Sequence, residues 1–169
     1  VQPINQKKRD ALTHDRLTTI LRFDEVTGRL FWRGGVKRGV WEGMPAGVYS
    51  HKYPRIKIDE FTYKIAHVIW FYKTGRWPPI FLDHRDLNTK NNDPDNLREA
   101  NHSQNNANRR CRPNSTGFKG VIREGRRFGA YISINGKNKS LGRFDTPEAA
   151  HAAYCAAATE RFGEFARFA

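Results

Sequence analysis

Between Asp83 and Asn106 the chain reads DHRDLNTKNNDPDNLREANHSQNN, a run dense in carboxylate, imidazole and carboxamide groups and nearly empty of apolar side chains. Such groups are costly to bury unless each finds a partner, so their density argues against an ordinary core segment. A carboxylate and a carboxamide are oxygen donors that suit a hard ion such as Mg²⁺ or Mn²⁺, with water and phosphate oxygens filling the remaining positions. A neutral imidazole, with an ordinary pKa of about 6.5, takes a proton from water near neutral pH. These are the parts of metal-assisted hydrolysis. Runs rich in Asn and Asp are also ordinary loops, and the reading depends on the elements that hold them.

Phe81-Leu82 is a short apolar strand that delivers Asp83 and His84 at its end, followed by a polar loop through Asn91–Asp95. Asn96-Leu97-Arg98 returns as a second strand. Near Asn101 the period changes to that of a helix running to about Arg110, which presents Asn101 or His102 together with Asn105 on one side. Upstream, the spacing of Ile65, Val68, Ile69 and Phe71 predicts a helix over 65–74, stopped by Gly75 and Pro78-Pro79. His67 lies on it, as a packing residue or an auxiliary group at the site. A helix from near Thr13, a hairpin of Leu21–Asp24 with Arg29–Arg33, and strands Tyr53–Ile58 and Phe61–Lys64 complete this half. Five glycines from Gly34 to Gly47, interleaved with Lys37 and Arg38, read as a mobile basic loop that wraps a phosphate backbone or is a solvated connection.

The layout resembles the ββα-metal finger of the HNH nuclease superfamily, in the version of phage and intron homing endonucleases. The resemblance is carried by Asp83-His84, Asn91-Asn92, the run Asp95 to Arg98, and Ser103 to Asn106, with "TGRLFWR", "YPRIKID" and "AHVIWFYKTGRWPP" upstream. It covers roughly residues 20–110. It implies that Asp83 and Asn105 hold one divalent cation, Mg²⁺ or Mn²⁺, that His84 is the general base, and that Asn96 braces the loop. Products would carry 5′-phosphate and 3′-hydroxyl. Many relatives have His where this chain has Asn105, which favours a hard ion over zinc, and His102 is the competing ligand.

Arg109, Arg110 and Arg112 lead into the turn-rich segment Pro113 to Gly117, a basic linker lying along a DNA backbone. Beyond it, strands are expected at Lys119–Glu124, Gly129–Asn135 and Lys139–Phe144, and a helix from Pro147 to Arg161. From Gly117 to Arg143 there are Lys119, Arg123, Arg126, Arg127, Lys137, Lys139 and Arg143 against Glu124 alone, whereas acids outnumber bases from Phe144 onward. The sheet should therefore face phosphate, and alternation leaves Tyr131 and Ser133 on its exposed side. The stretch from Gly117 to Phe168 resembles the AP2/ERF DNA-binding domain through "GV", "LGRFDTPEAAHAAY" and "RFGEFA". That resemblance implies DNA contacts at Lys119, Ile122, Glu124, Tyr131, Ser133, Asn138 and Ser140. Several arginines of the family are missing there, and Arg123, Arg126 and Arg127 are candidates to replace them.

The expected fold class is α+β, a ββα-metal nuclease domain followed by a three-stranded antiparallel sheet with one helix. The expected domains are 1–110, a linker over 111–116, and 117–169. Over 169 residues, 30 Lys plus Arg against 17 Asp plus Glu leave a net charge of +13, which points to double-stranded DNA as the partner. With neither a long apolar span nor an apolar leader, the expectation is a soluble, cytoplasmic protein, in a bacterial host if phage-encoded. Two cysteines are too few for a disulfide framework or a four-thiolate zinc site, so Cys111 and Cys155 are read as free. No small-molecule cofactor is expected, and one nuclease centre per chain predicts a monomer on DNA. The expected function is a site-directed homing endonuclease. The alternatives are an inactive DNA-binding regulator that keeps the nuclease scaffold, and an RNA-binding protein.

Overall fold

The computed structural model describes residues 4–36, 38–79 and 81–169. The chain divides into two compact units, Val1–Glu99 and Ala100–Ala169. Among the described residues no helix is long and apolar enough to cross a membrane.

The N-terminal unit opens with α1 (Gln6–Asp10), capped by Asn5, an element the polar sequence did not announce. Tertiary contacts supply what its composition lacks. Trp77 stacks on Phe71 and Tyr63, and its indole N–H donates to the Arg9 carbonyl, while the Tyr63 hydroxyl donates to that of Lys8. Helix α2 (His14–Ile20) starts where expected because the Thr13 hydroxyl accepts from the Arg16 amide. Two antiparallel hairpins follow, β1 (Leu21–Asp24) with β2 (Arg29–Trp32), and β3 (Arg55–Ile58) with β4 (Phe61–Lys64). Their inward residues Leu21, Leu30 and Ile56 pack with Leu17, Ile65, Val68 and Ile69 in one core. Helix α3 (Ile65–Thr74) ends at Gly75 in the left-handed region, as its sequence predicts.

The expected mobile loop is corrected in its second half. Trp32 exchanges backbone hydrogen bonds with Gly43 and Met44, Ala46 donates to Leu30, and Val48 pairs with Arg55, so this stretch is pinned along β2 and β3. Gly47 is required there: at φ 104°, a Cβ would lie 2.6 Å from Ile65 Cδ1 and 2.8 Å from the Arg55 carbonyl oxygen. Arg38 is exposed in a turn, and Lys37 lies outside the described residues. Strands β5 (Phe81–His84) and β6 (Leu97–Ala100) pair, joined by a polar loop that ends in a 3₁₀ turn, Pro94–Asn96.

In the C-terminal unit, α4 (His102–Ala107) carries a capping box between Asn101 and Gln104. It stops short of the expected Arg110. The Lys119 ammonium takes the Ala107 and Arg109 carbonyls, and the Asn108 carboxamide accepts from Arg167, so the groups that would continue the helix are already engaged. Strands β7 (Val121–Glu124), β8 (Arg127–Ile134) and β9 (Lys137–Phe144) form an antiparallel meander with a bulge between Ala130 and Tyr131. Helix α5 (Pro147–Phe162), capped by Thr146, lies on it, and buried Ala150 and Ala158 allow close approach. Gly120 makes room for the Tyr154 ring, which a Cβ would meet at 2.2 Å. The α+β class holds in both units.

Candidate active site and nucleic-acid interface

Asp83 and His84 end β5 and are both buried, Asp83 5% exposed and His84 8%. The Asp83 carboxylate is held by Arg98 on β6, whose Nε and Nη2 lie 3.0 Å and 2.9 Å from Oδ2. Cross-strand pairing of opposite charge holds the acid in one orientation. His84 Nε2 is 3.1 Å from Oδ1 of buried Asn92. A carboxamide oxygen only accepts, so in the neutral ring Nε2 carries the proton and Nδ1 bears the lone pair. The Asn92 amide donates to the Lys90 carbonyl, which fixes which end of Asn92 faces the histidine.

Asn96 sits at the base of the loop between the two strands. Its Nδ2 donates to Asp86 Oδ1 at 2.9 Å and to the Asn91 carbonyl at 2.8 Å, and its Oδ1 accepts from the Asp86 amide. Asp86 is the loop's other anchor. Burial pushes its carboxyl upward, but donors from Asn91, Asn96 and the Asn88 amide outweigh that and leave it below the ordinary value. Between these anchors Leu87 adopts φ 64°, a left-handed conformation costly for leucine, and donates its amide to the His84 carbonyl.

His67 shares one recess with His84, Asn92, Lys64 and Tyr53. Burial first, then the Lys64 charge and His84, push its pKa down to about 3, so it stays neutral. Burial likewise lowers Lys64.

Asn105 lies on α4 in the C-terminal unit and is half-buried. His102 is exposed on the same helix, its Nδ1 3.0 Å from the Asn106 carboxamide nitrogen. Among the described residues no three His, Cys, Asp or Glu side chains gather into a metal cage. A carboxylate such as that of Asp83 and a carboxamide such as that of Asn105 are each oxygen donors of the right chemistry for a hard divalent cation that retains water and phosphate oxygens.

The residues expected to contact DNA in the C-terminal unit divide into two groups. Arg109, Arg110, Arg112, Arg123, Arg126, Arg127, Ser133, Asn138 and Ser140 are exposed. Lys119 instead turns inward, its ammonium donating to the carbonyls of Ala107, Arg109 and Arg167, and burial pulls its pKa down to about 8. Its three protons are directed at carbonyls within the fold, unlike the exposed groups above. Tyr131 donates its hydroxyl to Glu124, and that bond, with the Arg143 charge, holds the Glu124 carboxyl below its ordinary value against a smaller opposing effect of burial.

The sequence reading assigned no role to Arg98, Asn92 or Asp86. The signal for Arg98 was present, a lone cation on the strand opposite the one ending in Asp83. Asn92 and Asp86 were hidden among many equivalent polar neighbours.

Cys111 and Cys155 are free thiols. No curated protein and no solved structure matches the chain significantly. Residues 63–107, from β4 through α4 and including Asp83, His84, Asn92, Asn96, Arg98 and Asn105, match the family model described as HNH endonuclease, which supports an HNH nuclease with DNA as its substrate.

Proposed function

We propose that the protein is a site-directed DNA endonuclease of the homing type, cutting with a His84-centred HNH site and gripping DNA through an AP2/ERF-like C-terminal unit. The observation that carries the nuclease reading is the His84–Asn92 hydrogen bond, since it leaves Nδ1 as the basic nitrogen of a buried, oriented imidazole.

In this reading His84 Nδ1 accepts a proton from the attacking water, and Asn92 keeps the ring in the tautomer that can do so. Asp83 and Asn105 would hold one Mg²⁺ or Mn²⁺ ion, which supplies charge stabilisation at the phosphate and the departing 3′ oxygen. Arg98 keeps the Asp83 carboxylate oriented. Asn96, through Asp86 and the Asn91 carbonyl, braces the loop that carries Asn92. Products carry 5′-phosphate and 3′-hydroxyl. The exposed arginines of the C-terminal unit supply the phosphate contacts that dominate affinity, and the outer sheet face supplies whatever base reading there is. The chain acts as a monomer on double-stranded DNA.

The test is cleavage of supercoiled plasmid with Mg²⁺, Mn²⁺ or EDTA, comparing the intact chain with His84→Ala. Cation-dependent nicking or linearisation is expected, reduced about 10²- to 10⁴-fold in the variant, with gel-shift affinity retained. Undiminished cleavage by His84→Ala would remove the assigned base, and absence of cleavage by the intact chain with either ion would favour an inactive DNA-binding regulator.

A further inference from the structure

The reading of the C-terminal unit as a duplex-binding module is the premise here; its outer sheet face carries a more specific device. Ile122, Gly129 and Arg143 stand opposite one another across β7, β8 and β9 and therefore share the face turned away from α5. Gly129 leaves a hollow in that face: a Cβ there would lie 2.7 Å from Glu124 Oε1 and 2.7 Å from Tyr131 Cε2. The Tyr131 ring lies beside this hollow, and its hydroxyl donates to Glu124 Oε1. The other carboxylate oxygen, shielded from solvent, forms an ion pair with Arg143 Nε at 2.7 Å that lacks hydrogen-bond geometry. Glu124 is thus the one acid in the stretch from Gly117 to Arg143, and it is fixed beside an arginine whose side chain is 68% exposed.

We propose that Arg143 reads a guanine in the major groove of duplex DNA, with Glu124 and Tyr131 as its positioning residues. The carboxylate engages Nε and thereby leaves the end-on edge of the guanidinium, Nη1 with Nη2, directed to a partner. Two parallel N–H donors match the adjacent O6 and N7 acceptors of guanine. The same pairing disfavours a phosphate, because a fixed carboxylate beside Arg143 offsets its attraction for an anion but not for an uncharged base edge. Holding the long side chain in one orientation also removes freedom that an unpaired arginine would lose on binding. Gly129 is needed because any larger residue would displace Glu124 or Tyr131.

The experiment is selection of bound sequences from a randomised duplex pool by the full chain in EDTA, followed by affinity measurements on single-base variants of the selected site. The intact chain is expected to require guanine at one position, and Arg143→Ala to lose about 5- to 150-fold of discrimination there and nowhere else. Glu124→Gln is expected to relax the same position while raising affinity for unrelated duplex, since it removes a negative charge. Uniform weakening by Arg143→Ala, with the salt slope reduced by about one, would identify a phosphate contact and overturn the proposal. So would a guanine preference untouched by Glu124→Gln. If Arg143→Ala changes nothing but Arg123→Ala with Arg126→Ala weakens binding, the base reader is refuted and the duplex-binding module stands. If neither variant affects binding, both fall.

Discussion

Two ion pairs summarise the contrast between the units. Asp83–Arg98 in the N-terminal unit is withdrawn from water, with side chains 5% and 7% exposed, whereas Arg127–Asp145 in the C-terminal unit sits in solvent at 53% and 86%. A buried pair carries a desolvation cost that only good geometry offsets, so it fixes orientation, and loss of one partner leaves a stranded charge. An exposed pair fixes little and is screened by salt, yet its arginine stays available to a polyanion. The contrast matches the work proposed for each unit. Proton transfer needs groups held still, while a grip on phosphate needs charge that water already tolerates.

The largest effect expected from this comparison is that of Arg98→Ala, which should destabilise the protein by about 3–5 kcal/mol, while Arg127→Ala stays within about 0.5 kcal/mol. Urea unfolding of both variants measures this, and equal losses would break the contrast. A second test concerns acid. His67 is neutral in the folded chain down to about pH 3 and titrates near its ordinary 6.5 when unfolded. The unfolded chain therefore binds more protons between those values, and stability falls as pH drops through that window. His67→Gln should flatten that limb of a stability–pH profile, and an unchanged limb would assign the acid sensitivity elsewhere.

A smaller effect is expected at Lys119. Lys119→Met leaves three carbonyls without their donor and should cost about 1–3 kcal/mol, with faster amide exchange in α4. Its salt slope for DNA should remain that of the intact chain; a drop of about one would identify Lys119 as a phosphate contact. The smallest is Leu87→Gly. It relieves a left-handed leucine worth about 1–2 kcal/mol but adds unfolded-state freedom worth about 0.5–1 kcal/mol. Thermal unfolding should show a shift within about 1 kcal/mol of the intact chain, and a large loss would mean that the Leu87 side chain itself supports the site.

Local signals in the sequence were strong enough to define several elements by themselves. Helix α3 begins and ends where the spacing of Ile65, Val68 and Ile69 and the stop at Gly75 require, and the hairpin β1–β2 follows from alternation around Thr27-Gly28. The strand that ends in Asp83 and His84 was legible for the same reason, a short apolar pair followed by a polar run. Tertiary structure decided what periodicity does not encode. It formed α1 by docking it on Trp77 and Tyr63, ended α4 through Lys119 beyond the helix, and pinned the glycine-rich loop beside β2.

The same division runs through the site. The resemblance to HNH nucleases made Asp83, His84, Asn96 and Asn105 candidates, and it made chemical sense because few side chains can ligate a hard ion or take a proton from water. Which nitrogen of His84 carries the proton, which cation holds Asp83, and whether Lys119 faces solvent or the fold depend on Asn92, Arg98 and three backbone carbonyls. Those are partners brought together by folding, and hydrogen-bond direction and burial exist only once the chain has done so.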